Sequence, residues 1–218
     1  MLLIINNKDL AARDNILSRI KNALKKPVEK PFPDIQTDDV SVVFPKETEN
    51  LDVLFAENFK NTQGQFIYCT DETDFVNKLA GLATNNEWSR IYCRESEIIN
   101  LIQQHGFHKL AFSNMADSPA AITSCEALIA RTGSILLSSA LQSGRTTSVY
   151  TPIHICVAYT SQVVYDIADG LKILESKYDR IPSMVTLATG PSRTADIEKT
   201  LVVGIHGPQK VFCFLIEK

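Results

Sequence analysis

Short apolar runs alternate with helix-like segments from residue 51 onward, and this alternation constrains the fold more than any other feature of the sequence. The apolar runs occupy 65–69, 91–93 and 109–112. The segments with helical spacing of their apolar residues occupy 51–61, 72–82 and 95–104, the last ending near Gly106, a typical C-cap residue. Short apolar strands separated by helices are typical of a parallel sheet with helices on its faces. We therefore predict an α/β fold built on a mainly parallel sheet.

The second half of the chain is denser in Val, Ile, Leu and Thr, and its connections are tighter. Strand-like runs occupy 122–130, 134–138, 154–159, 162–165, 184–189 and 211–216, with a helical pattern at 166–176. Because tight connections join antiparallel strands more readily than parallel ones, we expect some antiparallel pairs here.

The N-terminal segment differs from the rest in charge and in proline content. Residues 1–30 contain seven basic and three acidic residues, whereas the 218-residue chain has 22 basic and 25 acidic residues and a net charge of -3. Helical spacing predicts an amphipathic helix at 9–25, and four prolines between 27 and 45 predict an extended linker. We therefore divide the chain into a basic helical arm with its linker at 1–46 and an α/β domain at 47–218. The arm is either a solvated helix or docks on an acidic partner or a neighbouring subunit, which would make a homo-oligomer.

Composition argues against several classes of protein. Proteins that bind nucleic acid usually carry a basic surface, and a net charge of -3 does not indicate one. No apolar stretch approaches the ~20 residues of a membrane span. We therefore expect neither nucleic acid nor membrane as a partner. The five cysteines are scattered without a C-x-x-C pair, which indicates a reducing cytoplasm and predicts no iron–sulfur cluster, structural zinc or other metal on this chain. Motifs of P-loop, Rossmann, zinc-protease and α/β-hydrolase proteins are missing.

Four stretches carry residues suited to chemistry, and the first two are candidate anion loops. In the stretch 130–134, the backbone of Gly133 and the hydroxyls of Thr132 and Ser134 suit an anion, and the alternative is an ordinary tight turn. In the stretch 144–148, Arg145 stands beside three hydroxyl residues, which suits phosphate or carboxylate, and the alternative is a solvated loop.

The third stretch, 189–198, follows a predicted strand, and Ser192 is placed to begin a helix or turn. Ligands of open α/β sheets lie beyond the carboxyl ends of strands, and helix N-termini bind anions. The candidate ligand-binding residues here are Gly190, Ser192, Arg193 and Thr194. Asp196 and Glu198 are candidate catalytic carboxylates. The alternative is a helix cap beside a surface ion pair.

In the fourth stretch, 203–208, the candidate ligand-binding residues Gly204 and Gly207 flank His206. A histidine with a pKa near 6.5 can act as a general base, so His206 is a candidate catalytic residue. The alternative is a histidine bonded to backbone groups in a turn. The other histidines are predicted to be structural or superficial, with His154 in the core and His105 and His108 at the surface.

The last two stretches together resemble the LUD-domain family, in its lactate utilisation type (the LutC or YkgG type). The sequences are Thr-Gly-Pro-Ser-Arg-Thr-Ala-Asp-Ile-Glu at 189–198 and Gly-Ile-His-Gly-Pro at 204–208. The stretch 127–137 resembles the family's internal motif, and the basic N-terminal helix is similar to the arm of many members. One departure is Arg131, because the family commonly has an acidic residue before the central Thr-Gly. This change puts a carboxylate base at that position in doubt and marks a possible difference in ligand.

The resemblance implies a fold like that of the NagB/RpiA/CoA-transferase superfamily. It also implies a cytoplasmic subunit of a system that oxidises L-lactate to pyruvate. Partner subunits would carry the iron–sulfur clusters, and this chain would bind no cofactor. Within that function, Arg193, Ser192 and Thr194 would hold a small carboxylate or phosphate ligand, and His206 would assist proton removal.

Two other functions stay open at the level of sequence. The first is a stand-alone enzyme acting on a phosphorylated sugar, acyl-CoA or folate-like substrate, with Glu126 or Glu198 as nucleophile or base. The second is a binding or regulatory module without chemistry of its own. The fold does not decide between them, because one fold hosts many chemistries.

Overall fold

The computed structural model describes residues 7–25, 50–194, 202–203 and 207–218, and the chain divides into two compact units. The first unit, Met1–Pro45, contains helix α1 (Asn7–Leu24), close to the helix predicted at 9–25. Several apolar side chains of α1 are exposed, namely those of Ile16, Leu17, Ile20 and Leu24. The second unit, Lys46–Lys218, contains the α/β fold.

The second unit is built around a parallel sheet. In chain order, strands β1–β12 lie at Gln65–Cys69, Ile91–Cys93, Leu110–Ala111, Ala120–Thr123, Ala127–Ile129, Ser134–Ser138, Ile153–Tyr159, Val163–Val164, Val185–Ala188, Arg193–Thr194, Val202–Val203 and Lys210–Ile216. Six of them form sheet A in the order β1-β12-β7-β4-β2-β3, with every neighbouring pair parallel. The predicted α/β class with a mainly parallel sheet is confirmed.

Helices connect and cover these strands. Helices α2–α6 lie at Leu51–Asn61, Glu72–Asn85, Ser96–Gln104, Thr147–Tyr150 and Ile167–Lys177. Helix α3 begins where the side chain of Asp71 accepts a hydrogen bond from the backbone N–H of Asp74 at 2.7 Å, a typical N-cap. Helix α4 ends shortly before Gly106, whose φ of 82° fits the predicted C-cap. Within the described ranges, no helix is both long and apolar enough to cross a membrane.

A second sheet, sheet B, contains the antiparallel pairs expected in the second half of the chain. Its order is β8-β5-β6-β9, and β6 runs antiparallel to both β5 and β9. Strands β10 and β11 form a separate antiparallel ribbon.

The single strand predicted at 122–130 is wrong, because the structure divides this run between the two sheets. Strand β4 ends at Thr123 in sheet A, and β5 begins at Ala127 in sheet B. In the segment between β4 and β5, side chains form hydrogen bonds with the backbone. Glu95 accepts from the Ser124 N–H at 3.0 Å, and Gln162 donates to the Cys125 carbonyl at 2.8 Å. These bonds allow the chain to leave one sheet without unsatisfied buried backbone groups.

Three apolar clusters hold the layers together. Alternate side chains of β12 point to opposite faces of sheet A, as an extended backbone requires. One set, including Phe212 and Phe214, packs with α3 and α4, and the other, including Cys213 and Leu215, packs with α2 and sheet B. Leu174 of α6 belongs to the third cluster, on the opposite face of sheet B. All five cysteines are buried: Cys69, Cys93, Cys125, Cys156 and Cys213.

Candidate functional site

The first predicted anion loop packs against the last turns of helix α2. The Asn58 amide donates to the carbonyls of Ala130 and Arg131 at 2.9 and 3.2 Å. Gly133 has a φ of 60°, and a Cβ at this position would lie 2.4 Å from the backbone nitrogen of Phe59. The glycine is therefore required by the close approach of the loop to the helix, whatever else the loop binds.

The third stretch reaches the same helix end. Gly190 has a φ of 73°, and a Cβ on it would lie 2.2 Å from the carbonyl oxygen of Thr62. The guanidinium of Arg193 donates to that same carbonyl. Between the two loops, the Ser134 hydroxyl lies 2.7 Å from the Thr189 hydroxyl. The first and third stretches therefore form one cluster, which we call the α2 cluster.

The fourth stretch joins the α2 cluster through its second glycine. The Ser192 N–H donates to the Pro208 carbonyl at 2.9 Å, and a Cβ on Gly207 would lie 2.8 Å from the Ser192 Cβ. The C-terminal end of a helix carries partial negative charge. Arg193 is thus well placed to stabilise the end of α2, and that end of the helix does not itself favour an anionic ligand.

Ser192 was predicted to begin a helix or a turn, and the described residues directly after it do not form a helix. Arg193 and Thr194 form strand β10, which pairs with Val202 and Val203 of β11. The preceding strand, β9, lies in sheet B and pairs antiparallel with β6. Its end is therefore not the carboxyl edge of a parallel sheet, which removes the reason for expecting a helix N-terminal anion site there.

Part of the predicted site lies outside the described residues, and one further residue lies elsewhere in the fold. The predicted catalytic residues His206, Asp196 and Glu198 and the predicted ligand residue Gly204 lie outside the described ranges. Arg145 donates to the hydroxyl of Ser183, near the end of sheet B where Ser138 pairs with Val185. Thr132, Gly133 and Ser134 lie at the opposite end of β6, so Arg145 is separate from the α2 cluster. The ligand-binding and catalytic roles of all these residues stay predictions.

Arg131, the departure from the family pattern, forms an ion pair with Asp166. The distance from its Nη2 to Asp166 Oδ1 is 2.8 Å, and both side chains are largely buried. The hydrogen bond from Arg131 holds the pKa of Asp166 below its usual value. The same carboxylate caps helix α6 by accepting from the Ile167 N–H at 2.5 Å. Arg131 therefore ties the central loop to the start of a helix.

A cavity of about 440 Å³ lies at the carboxyl edge of sheet A, between α4, the segment after β6 and the end of α6. Three of its polar residues follow or end parallel strands: Glu95 after β2, Ser124 after β4 and Tyr159 at the end of β7. Gln142, Gln162, Lys177 and Tyr178 add further polar groups. This is the position where open α/β sheets bind ligands. Polar residues directly after apolar strands were the sequence signal for it.

Glu95 is the most deeply buried carboxylate of the cavity wall, with 7% of its surface exposed. Its two oxygens accept hydrogen bonds from the N–H and the hydroxyl of Ser124. Across the same edge, the side-chain oxygen of Gln142 accepts from the Ser96 N–H at 2.8 Å. These hydrogen bonds fix the positions of the Glu95 and Gln142 side chains in the cavity wall.

Behind the cavity wall, Glu126 accepts hydrogen bonds from three side chains. Ser138 donates at 2.5 Å, Lys177 at 2.7 Å and Tyr178 at 2.9 Å. Burial alone would raise the pKa of Glu126, but these three donors hold it below its usual value. Burial opposes the charge on Lys177, yet the carboxylate raises the pKa of that ammonium. Both groups are therefore charged at neutral pH.

The histidines lie where the sequence placed them, as far as the structure describes them. His154 is fully buried in β7, with its Nε2 2.8 Å from the Thr123 hydroxyl. Its Nδ1 has no hydrogen-bond partner among the described residues. Burial lowers the pKa of His154 to about 4, so the ring is neutral at physiological pH. His105 and His108 are exposed.

Similar proteins of known sequence include members of a lactate utilisation group. The chain is 27% identical over 222 residues to an uncharacterised protein of Neisseria meningitidis serogroup B, a match covering 95% of this chain and 94% of that protein. It is 35% identical over 99 residues to Lactate utilization protein C of Bacillus licheniformis and 34% identical over 98 residues to the protein of that name in Bacillus subtilis. Each Bacillus match covers 44% of this chain and 41% of the relative.

A solved structure shows the same fold. The crystal structure of a DUF162 family protein from Deinococcus radiodurans matches with a TM-score of 0.60 and 16% identity, over 79% of this chain and 99% of that one. The LUD domain matches residues 53–216. Since this match spans nearly the whole α/β unit, the chain belongs to the LUD-domain family.

Proposed function

We propose that this chain is a lactate utilisation protein, acting as a cluster-free subunit of a cytoplasmic system that oxidises L-lactate to pyruvate. The observation that carries the proposal is the similarity to Lactate utilization protein C of two Bacillus species, within a chain that carries the LUD domain. Iron–sulfur clusters, in this proposal, belong to partner subunits. The burial of all five cysteines among core residues supports that division of labour, because a thiol in the core packs as a small hydrophobe.

The proposal includes a small anionic ligand bound by this chain, and the carboxyl-edge cavity supports it better than the α2 cluster does. Lys177 lines the cavity, is charged and is half-exposed, so its ammonium can reach a carboxylate. Arg193 instead donates to the Thr62 carbonyl at the negative end of α2. If the carboxylate of a ligand binds at Lys177, a hydroxyl of the same ligand can donate to the Glu95 carboxylate, which lines the same cavity.

The alternative of a stand-alone enzyme with Glu126 as nucleophile or base receives less support. Three donors bind the Glu126 carboxylate, and its pKa is held below the usual value. A carboxylate stabilised in this way is a weak base and a weak nucleophile. Its contacts suit a second role, in which it fixes the position of Lys177 and Tyr178.

The proposed assembly also includes contact with other chains through the basic arm. The exposed apolar side chains of α1 lie on a helix whose described part carries several Lys and Arg residues. An amphipathic basic helix of this kind is suited to an acidic partner surface or to a second copy of the chain.

The test is growth of a strain that lacks the gene, with L-lactate or pyruvate as the only carbon source. We expect poor growth on L-lactate, normal growth on pyruvate, and recovery when the wild-type gene is returned. A Lys177→Met gene should fail to restore growth, whereas a Lys172→Met gene should restore it, because Lys172 is exposed on the same helix. Undiminished growth of the deletion strain on L-lactate would refute the proposal.

A tagged copy of the chain provides the test for partners. Purified from cells grown on L-lactate, it should bring down proteins with the visible absorbance of iron–sulfur clusters. The chain purified alone should lack that absorbance. Recovery of the tagged chain without any cluster-containing protein, under conditions where the strain oxidises lactate, would count against the partner subunits.

A further inference from the structure

We propose that the carboxyl-edge cavity binds an organic acid larger than lactate that carries several hydroxyl groups, with its carboxylate at Lys177 and a hydroxyl at Glu95. This inference goes beyond the proposed function, since it concerns which ligand the cavity accepts, and it depends on that function only for the choice of lactate as the reference ligand. It follows from the size of the cavity, from a buried carboxylate that has no cationic partner among the described residues, and from the position of a cation.

The size of the cavity exceeds what lactate needs. Its volume is about 440 Å³, within the range of pockets that hold cofactor-sized or drug-sized ligands. Lactate has only six non-hydrogen atoms, which would occupy at most ~180 Å³ even at the ~30 Å³ that each water molecule takes in the liquid. A ligand of about twice that size fits the cavity better.

Glu95 indicates which chemical group of the ligand binds at one end of the cavity. Its carboxylate is buried and lines the cavity. Both of its oxygens accept from Ser124, but within the described parts of the chain no Lys or Arg forms an ion pair with it. Buried charges are ordinarily paired or fully hydrogen-bonded, and a carboxylate has about four acceptor positions. A ligand hydroxyl would donate to one of the acceptor positions that Ser124 leaves open.

Lys177 indicates the group at the other end. Its ammonium gives one N–H to Glu126 and lies 5.3 Å from the centre of the Tyr178 ring, while the side chain stays half-exposed. An ammonium has three N–H donors, and since Glu126 and the Tyr178 side chain both interact with this one, at least one donor is left for another acceptor. The Glu126 pair fixes the position of the cation without using all of its donors. A carboxylate is the matching ligand group.

The wall between these two ends is suited to a carbon chain. Phe75, Ile98, Leu101 and Val157 supply apolar surface, and Gln142 and Gln162 add side-chain amides. Such a mixture of apolar wall and a few polar groups is typical of organic ligand sites. An acid without hydroxyls would offer Glu95 no donor beyond those of Ser124 and would exclude water from its remaining acceptor positions, which costs binding free energy.

Isothermal titration calorimetry with the full chain tests this inference with four acids. D-gluconate and hexanoate have chains of the same length with and without hydroxyls, and L-lactate and propionate form the matching short pair. We expect gluconate to bind at least tenfold more tightly than hexanoate and than L-lactate, about 1.4 kcal/mol at this ratio. Equal binding of gluconate and hexanoate would overturn the role of Glu95, and tighter binding of L-lactate than of gluconate would overturn the size argument.

Variants assign the two ends of the cavity. Glu95→Gln should remove the preference for gluconate over hexanoate, and Lys177→Met should weaken both acids at least tenfold. Lys177→Arg keeps the charge beside Glu126 and should retain binding, so it separates loss of the cation from loss of the fold. Glu175→Gln and Lys172→Met change exposed residues of α6 and should bind as the wild type does. If Glu95→Gln keeps the full preference for gluconate, the assignment is wrong.

The outcome is independent of the growth experiment. Gluconate binding with undiminished growth of the deletion strain on L-lactate would remove the proposed function and leave the cavity assignment in place. A growth defect on L-lactate combined with tighter binding of lactate than of gluconate would do the reverse.

Discussion

Gly133 and Gly190 hold two loops against the last turn of helix α2. Each has a positive φ, and each approaches the backbone of the helix so closely that a Cβ would overlap it. A glycine in a loop with neighbouring hydroxyls can equally well mark an anion site, since both uses require the same absence of a side chain. At these two positions, the described contacts are with the protein itself.

We expect Gly133→Ala to lower the free energy of unfolding by roughly 2–4 kcal/mol, because the residue combines a left-handed φ with a backbone overlap. Gly81→Ala is the matched control. Gly81 lies in helix α3 and is exposed. Apart from its chain neighbours and the local helix backbone, no atom of the described residues lies within 4 Å of where its Cβ would stand, so this change should raise stability by about 0.5–1 kcal/mol. Urea unfolding measures both changes. A Gly133→Ala protein as stable as the wild type would show that the loop moves freely away from α2.

The contacts of these glycines also show what sequence reasoning could reach. The loop at 130–134 was predicted from its residue types, and the structure places it at a turn with a positive φ. Its partner, helix α2, lies more than 70 positions earlier in the chain, as the Asn58 bond to Ala130 shows. Nothing in the local spacing of either segment indicates the other, because the pairing is set by the packing of α2 on sheet B.

At the scale of helices and strands, the strength of the local pattern decided how well each boundary was predicted. The strands 65–69, 91–93 and 134–138 and the helix 51–61 have the predicted bounds. These segments are bounded by turn residues or by changes in polarity. The run at 122–130 contains the polar residues Thr123, Ser124 and Glu126 but no Gly, Pro, Asn or Asp, the residues that most often mark a turn. The local pattern therefore did not show that the chain changes sheets here, where Glu95 and Gln162 form hydrogen bonds with the backbone of the link.

The start of helix α6 provides a prediction at this scale. Asp166 caps the helix and pairs with Arg131, so one carboxylate connects two elements. Asp166→Asn keeps an acceptor for the helix cap but removes the charge. It should lower the free energy of unfolding by less than about 1 kcal/mol. Asp166→Ala removes both contacts and should cost about 1–2 kcal/mol more. Thermal and urea unfolding provide the comparison, and equal losses for the two variants would mean that the cap contributes nothing beyond the ion pair.

At the scale of the whole molecule, the cavity depends on an order of strands that no local pattern contains. In sheet A, β4 lies between β2 and β7, and β12 lies between β7 and β1. Glu95, Ser124 and Tyr159 are therefore neighbours in space although they lie far apart in the sequence. Sequence reasoning predicted the sheet and the rule that ligands bind at its carboxyl edge. It applied that rule to the strand before Gly190, which belongs to sheet B.

The buried histidine in the centre of this structure predicts how the stability of the whole molecule depends on pH. Burial lowers the pKa of His154 to about 4 in the folded state, whereas an unfolded histidine has a pKa of about 6.5. The unfolded chain therefore binds a proton more readily between these two values. Stability must fall as the pH decreases through this window, and the effect is complete below the folded pKa.

Between pH 7 and pH 5, this difference should lower the free energy of unfolding by about 2 kcal/mol. The carboxylates with lowered pKa values, Glu126, Asp166 and Asp74, add their own loss of stability only at lower pH, near and below their usual values of 4.5 and 3.8. Urea unfolding at a series of pH values should show a flatter dependence above pH 5 for His154→Gln than for the wild type. His108→Gln, which changes an exposed histidine, should keep the dependence of the wild type. Parallel curves for wild type and His154→Gln would mean that the ring is protonated as easily in the folded protein as in the unfolded chain, which its burial beside Thr123 argues against.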